Sequence, residues 1–129
     1  MVVLIKNNNP RYLNVTNLYV CNDHIRVDWM EYWESIRAEY SHDDELAYTI
    51  KSKDYVKLLN AIKKEYPDYQ PNGLECKNLW WSEWNEFNDI TKELCMAIKA
   101  VFTKDNAYRY IDWFCLDYKI ETYDKEYDF

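Results

Sequence analysis

Two residues of the sequence have the spacing of half a zinc site. Cys21 and His24 are separated by two residues, and a thiolate with an imidazole is a common pair of Zn²⁺ ligands. A closed structural site needs four ligands, which Cys76, Cys95 or Cys115 could help to supply. No second closely spaced pair occurs in the sequence. We therefore expect no metal site and interpret His24 as a turn residue beside a core cysteine.

A second set of residues contains groups that could hold Mg²⁺. Asp68, Glu75 and Lys77 form Pro-Asp followed by Glu-x-Lys, which resembles the metal-binding signature of restriction-type nucleases. The resemblance covers 11 residues and implies carboxylates that hold Mg²⁺ and a lysine that supports the attacking water. Only six residues separate Asp68 from Glu75, with Pro71 and Gly73 among them, so there is little room for the two strands that usually present these groups. A metal-dependent nuclease is a minor alternative, and a solvated loop is the expectation.

Other catalytic motifs are missing from the sequence. With one glycine in 129 residues, the chain has no glycine-rich loop that could cradle a phosphate. It has no Gly-x-Ser-x-Gly motif, and it has only two histidines to act as ordinary general bases. We therefore expect a protein without cofactors and without catalytic residues.

The negative charge of the chain is concentrated in its second half. Residues 1–64 carry 9 acidic and 9 basic side chains, whereas residues 65–129 carry 14 acidic and 7 basic ones, which accounts for the whole net charge of −7. A field of this sign repels phosphate backbones and attracts basic surfaces. The charge therefore disfavours direct binding of nucleic acid and favours a basic protein partner.

Composition predicts a single folded domain over residues 1–129, with a short acidic tail at 126–129. The chain is 48% hydrophobic and 18% aromatic, which is too apolar for a disordered protein. No apolar run approaches the ~20 residues of a membrane span, and residues 1–5 lack the features of a signal peptide. We expect a cytoplasmic protein that makes no membrane contact and has four reduced cysteines.

Several segments have the pattern of antiparallel strands. Tyr12–Val20 is rich in β-formers, and His24–Met30 alternates, with Ile25, Val27 and Trp29 on one face. Glu31–Tyr40 fits a helix or a strand, and a strand is preferred because alternation resumes at Leu46. The polar residues His42–Glu45 then predict a four-residue hairpin between two strands.

Three helices and a last strand follow. Ser52 is a candidate N-cap for a helix that ends before Pro67, Ser82 for a long second helix, and Asn106 for a third. The apolar line of the third helix is predicted to contain Ala107, Tyr110, Ile111, Phe114 and Tyr118, and the last strand to span Lys119–Lys125. Strands grouped before helices predict an α+β fold, in which an antiparallel sheet of about four to five strands packs on two to three helices as a two-layer sandwich.

The aromatic stretch Lys77–Ile90 divides into core and surface candidates. Trp84 and Phe87 are predicted to point into the core because they belong to the apolar stripe of the second helix. Trp80 and Trp81 precede the cap, and successive side chains of an extended segment face opposite ways. At least one of these two indoles is therefore a candidate for the surface, with a lid over the core edge as the alternative.

Small size, an acidic balance and the lack of catalytic motifs together resemble bacterial immunity proteins and anti-CRISPR inhibitors. This resemblance is one of profile and implies a non-catalytic protein that binds and inhibits a basic nuclease or another nucleic-acid-binding effector, with carboxylates that mimic phosphates. The candidate partner-binding residues are Trp80, Trp81, Glu83, Glu86, Glu121, Asp124, Glu126 and Asp128. The alternative is a scaffold or interaction module that buries its spare aromatic residues in a homodimer or larger oligomer.

Overall fold

A computed structural model describes residues 2–9, 12–33, 42–71, 83–104 and 106–124 of the chain. Side chains are described for residues 14–31, 45–71, 83–104 and 106–123. All statements below on what the structure contains refer to these residues.

One antiparallel sheet holds the strands in the order β1-β2-β3-β4-β5, so each strand pairs with its neighbours along the chain. The strands are β1 (Val2–Asn9), β2 (Tyr12–Val20), β3 (His24–Trp33), β4 (His42–Lys51) and β5 (Thr122–Asp124). Three helices pack against the sheet: α1 (Tyr55–Glu65), α2 (Asp89–Val101) and α3 (Ala107–Asp117). The predicted α+β architecture is confirmed.

Alternation along β2, β3 and β4 builds the apolar face of the sheet. Leu18 pairs with Val27, and Val27 pairs with Tyr48, so the three side chains form a row across the sheet. All three are buried in the core together with residues of the helices. This confirms the strand predicted at Tyr12–Val20 and the inward face predicted for His24–Met30. The register matters, because a shift of one residue would expose this row.

The prediction of a hairpin at His42–Glu45 is wrong, because these four residues are the first part of β4. Trp33 pairs with His42, and Tyr32 pairs with Asp43, so the polar residues extend the ladder instead of turning the chain. Strand β3 includes the first residues of the segment Glu31–Tyr40, as predicted, and the remainder of that segment lies outside the described residues.

The predicted N-caps at Ser52 and Ser82 are not found. A 3₁₀ turn spans Ser52–Asp54 before α1, and Asp54 takes the N-cap position without a side-chain hydrogen bond. Helix α2 begins at Asp89, where the Asn88 side chain accepts a hydrogen bond from the Thr91 backbone N–H at 2.9 Å. Ser82 lies outside the described residues, and the helix predicted after it starts several residues later.

Trp84 lies in the core, as predicted, although it belongs to a 3₁₀ turn (Trp84–Glu86) and not to α2. Its side chain is 4% exposed, and Phe87 packs against it with ring centroids 6.3 Å apart. Cys95 and Cys115 are fully buried, in agreement with their predicted role in packing, and Cys21 is half-buried.

The other face of the sheet has a polar centre. Asp28 is 2% exposed, and its neighbours across the sheet are Asn17 and Ala47, which are also buried. The Arg26 guanidinium donates to the Asp28 carboxylate at 3.2 Å and to the Glu45 carboxylate at 3.1 Å. A buried carboxylate needs such a partner, since an unpaired charge there costs several kcal/mol.

Among the described residues, no helix is both long enough and apolar enough to cross a membrane.

Candidate protein-binding surface

Helix α3 leaves three large apolar side chains in solvent. Tyr110 is 48% exposed, Trp113 is 51% exposed and Leu116 is 73% exposed. Residues three apart lie on the same side of a helix, so the three form one continuous patch, which we call the α3 patch. The buried stripe of the same helix consists of Ala107, Ile111 and Cys115.

The two rings of the α3 patch support each other. The centroids of Tyr110 and Trp113 are 5.6 Å apart, and their planes cross at 87°. An edge-to-face contact of this kind contributes about 0.5–1.5 kcal/mol beyond the area that it buries. The contact therefore holds the indole of Trp113 in place before any partner arrives, which lowers the entropy lost on binding.

The α3 patch borders an open groove of about 460 Å³ between α3 and the ends of the other two helices. The groove is lined by Tyr66, Val101, Phe102, Lys104, Ala107, Tyr110, Trp113, Phe114 and Asp117. Its volume lies in the range of sites that hold a ligand or a few side chains of a partner, and its lining is mainly aromatic and aliphatic.

Packed rings form the floor of the groove. Phe114 contacts Phe102 with centroids 5.5 Å apart and Tyr118 with centroids 4.9 Å apart. Tyr66 lies 6.3 Å from both Phe102 and Phe114. Because Phe102 is buried in the core, the floor is connected to the rigid part of the domain.

A side-chain hydrogen bond connects the end of α3 to the end of α1. The Tyr118 hydroxyl donates to the Glu65 carboxylate. This bond, together with burial, raises the pKa of Tyr118 to about 12, because the carboxylate would repel a phenolate. The phenol therefore stays neutral and keeps its donor at physiological pH.

Charges of both signs lie around the groove. Tyr66 and Phe102 are the C-cap residues of α1 and α2, and helix C-termini carry a partial negative charge. Asp117 adds a carboxylate at the end of α3. The last turns of α1 and α2 carry lysines, namely Lys63, Lys64 and Lys99. Lys104 supplies the opposing charge within the lining.

The α3 patch was missed by reading the sequence. Tyr110 was predicted to lie on the buried line of the third helix, and that prediction is wrong. The spacing of Ala107, Ile111 and Cys115, at i, i+4 and i+8, would have identified the buried stripe and left Trp113 off it.

Four of the candidate residues from the sequence lie outside the described residues, namely Trp80, Trp81, Glu126 and Asp128. Asp124 lies in the last strand, β5, and its side chain is outside the described set. The structure therefore leaves these five candidates as predictions.

Glu83 and Glu86 are exposed, and the structure places them beside the turn that joins β2 and β3. The Asn22 amide donates to the Glu86 carbonyl at 3.2 Å, and the Asn88 N–H donates to the Asn22 side chain at 2.9 Å. That turn also contacts the 3₁₀ turn before α1, through a hydrogen bond from Ser52. Glu83 and Glu86 thus lie toward the start of α1, whereas the groove lies at its end, about 16 Å away along 11 residues.

Glu121 is exposed, but its carboxylate is engaged. Lys53 lies 3.6 Å from it, and the Tyr123 hydroxyl donates to it at 2.8 Å. Of the nuclease-like set, Asp68 is exposed, and Glu75 and Lys77 lie outside the described residues.

Comparison with protein-family models, with curated proteins and with solved structures found no match to this chain.

Proposed function

We propose that this chain is a non-catalytic binding protein that docks a basic protein partner through the α3 patch and the adjoining groove. The observation that carries the proposal is the half-exposed pair Tyr110 and Trp113 at the rim of a groove that ends in Asp117. Tryptophan, tyrosine and arginine dominate the binding energy of protein interfaces, usually at the centre of the contact.

The exposed part of Trp113 is large enough to act as an anchor. A tryptophan side chain buries about 150–250 Å² when it is fully covered, so about 100 Å² of this half-exposed ring is left for a partner. At about 25 cal/mol per Å², covering that area contributes about 2.5 kcal/mol. This is the magnitude of a binding hot spot.

The charge of the chain supports a basic partner. The net charge is −7, and the groove combines two helix C-termini with Asp117. An arginine or lysine of the partner would lie over the faces of Tyr110 and Trp113, a contact that contributes about 0.5–2 kcal/mol. Long-range attraction would steer the encounter and make it sensitive to salt.

Inhibition is the expected consequence of such binding. A basic surface on a nuclease or another nucleic-acid-binding effector is the part that contacts phosphates. An acidic protein that occupies this surface excludes the nucleic acid, as in the immunity-protein or anti-CRISPR type of inhibitor that the sequence profile resembles.

A homo-oligomeric module is the second candidate. The α3 patch follows one side of a helix, and two copies of such a helix can cover each other about a two-fold axis. In that case the patch is buried in solution, and no foreign partner needs it.

The experiment compares native protein with Trp113→Ala and Val56→Ala as bait in lysates of bacteria that carry toxin and CRISPR-type systems. Val56 is a matched control because it is also an exposed apolar residue, 52% exposed, on α1. We expect a basic protein that native and Val56→Ala bait retain and Trp113→Ala bait loses. A Trp80→Ala, Trp81→Ala double variant tests the candidates from the sequence in the same way.

The retained protein is then purified and assayed. The proposal requires that the native chain inhibits its activity, that the affinity falls steeply from low to high salt, and that Trp113→Ala weakens binding by at least about tenfold. Retention that is insensitive to Trp113, or binding without inhibition, would overturn it. Light scattering of the native protein separates the second candidate, which predicts a dimer that Trp113→Ala dissociates.

A further inference from the structure

The turn between β2 and β3 brings three metal-ligating side chains together. The Cys21 thiol, an Asp23 carboxylate oxygen and a His24 ring nitrogen all lie within 4.8 Å of one another. His24 Nδ1 is 2.9 Å from Asp23 Oδ1. The sequence pattern had paired His24 with Cys21 and with a distant cysteine, but Cys95 and Cys115 are enclosed in the core, and Asp23 is the third member.

The backbone of this turn is held from several sides. The Cys21 N–H donates to the His24 carbonyl at 2.9 Å, which closes the turn. The Tyr55 hydroxyl donates to the Cys21 carbonyl at 2.7 Å, and the Ser52 N–H donates to the Asp23 carbonyl at 3.0 Å. These bonds come from α1 and from the 3₁₀ turn before it, and they use backbone atoms of the turn. The backbone of the three residues is therefore held in place, and a ligand does not have to order the loop.

The environment of Cys21 is negative. Burial raises the pKa of its thiol, and the carboxylates of Asp23 and Glu83 raise it further. A divalent cation would change this balance, because it displaces the thiol proton and is attracted by both carboxylates. Half-buried Cys21 and His24 also leave a path from solvent to the site.

We propose that Cys21, Asp23 and His24 form a zinc-binding site, with water or the Glu83 carboxylate as the fourth ligand. Zn²⁺ accepts sulfur, nitrogen and oxygen ligands in tetrahedral geometry, whereas Mg²⁺ and Ca²⁺ require oxygen ligands. Bond lengths of about 2.0–2.3 Å place the ligand atoms of such a site about 3.3–3.8 Å apart. Rotation of the half-exposed side chains would bring all three ligand atoms to these distances, and bonds to the ion would replace the 2.9 Å hydrogen bond between His24 and Asp23.

The bound ion would clamp the turn and, through Asn22, the segment that carries Glu83 and Glu86. Asn22 already links the turn to Glu86 and Asn88 by two hydrogen bonds. Zinc would therefore stabilise the fold by binding the native state, and this role is independent of the α3 patch.

The test is a titration of reduced, metal-free protein with Zn²⁺, followed by heat, and with Co²⁺, followed by absorption. The variants are Cys21→Ser and His24→Gln, and the matched control is Glu86→Gln, which removes a nearby exposed carboxylate. We expect one Zn²⁺ per chain, release of a proton from the thiol, and a sulfur-to-cobalt charge-transfer band. We expect each ligand variant to weaken binding at least about tenfold and the control to bind as the native protein does.

Two results would overturn the proposal. One is that the native protein takes up no Zn²⁺ at concentrations well above that of the protein. The other is that Cys21→Ser and Glu86→Gln bind it equally, which would mean that surface carboxylates hold the ion. Circular dichroism of each metal-free variant shows that a loss of binding does not come from a loss of fold.

Discussion

The indole of Trp113 crosses the phenol ring of Tyr110 at 87°, with centroids 5.6 Å apart, on the solvent side of α3. Both rings are about half exposed, whereas Trp84 of the same chain is 4% exposed. These two tryptophans of the described residues therefore have different environments. The indole of Trp84 fills the core, whereas that of Trp113 is held by a neighbouring ring at the surface.

The two tryptophans should differ in their effect on stability. Trp84→Ala should lower the free energy of unfolding by about 3–5 kcal/mol, because it leaves a cavity in the core. Trp113→Ala should change it by about 0.5–1.5 kcal/mol at most, since it loses mainly the contact with Tyr110. Urea unfolding of both variants measures the difference, and equal losses would mean that the α3 patch is part of the core.

Asp28 should be needed for stability although it lies on the outer face of the sheet. Asp28→Ala should cost about 3 kcal/mol, because it removes the partner of a partly buried guanidinium. Arg26 keeps its contact with Glu45, which limits the loss. Asp68→Ala, at an exposed carboxylate, is the control and should stay within about 0.5 kcal/mol of the native protein. If the two variants unfold at the same urea concentration, Asp28 has no stabilising partner.

Loss of the N-cap of α2 should lower the free energy of unfolding by less than loss of Asp28 does. Asn88→Ala should lower the free energy of unfolding by about 1 kcal/mol, because the N–H of Thr91 loses its acceptor. Asn88→Asp keeps an acceptor at the same place and should retain the stability of the native protein. Thermal unfolding of the pair tests the assignment, and equal loss in both variants would contradict it.

The cysteines should react in a fixed order. Cys21 should be alkylated before Cys95 and Cys115, because it is half-buried and they are enclosed. Burial, with Asp112 as a second cause, raises the pKa of Cys115 to about 12, so it has almost no thiolate at neutral pH. Peptide mapping by mass spectrometry after timed alkylation gives the order. Early labelling of Cys115 in the folded protein would contradict its position in the core.

Stability should fall at alkaline pH. The pKa values of Cys115 and Tyr118 are both raised to about 12, from 9.0 and 10.0, so the folded state binds more protons than the unfolded state above pH 9. Their contribution is complete below the unfolded pKa values and is lost as the pH rises through about 12. Urea unfolding over this range should show the decline, and Tyr118→Phe should make it less steep. An unchanged slope in that variant would contradict the role of Glu65.

Sequence alone was sufficient for the elements with a strong local pattern. Strand β2 and the inward face of β3 follow from alternation, and α1 follows from its apolar spacing and from Pro67. The burial of Trp84 was also predicted, although its 3₁₀ turn was not. In each case the local preference and the final packing agree, so a short segment of sequence is enough to predict the element.

Tertiary structure decided what local preference leaves open. Polar residues at His42 suggest a turn, but pairing with Trp33 extends a strand through them because the ladder satisfies their backbone groups. Helix α3 carries aromatic residues on more than one side, so its sequence permits more than one buried face. Packing against the sheet buries Ile111 and leaves Trp113 exposed. Cys21, Asp23 and His24 are close in the sequence, and the turn between β2 and β3 brings their ligand atoms within 4.8 Å of one another. The α3 patch and its groove depend on contacts between distant segments, so the sequence pattern did not reveal them. The spacing of Cys21 and His24 was visible in the sequence, and the structure added Asp23 as the third group.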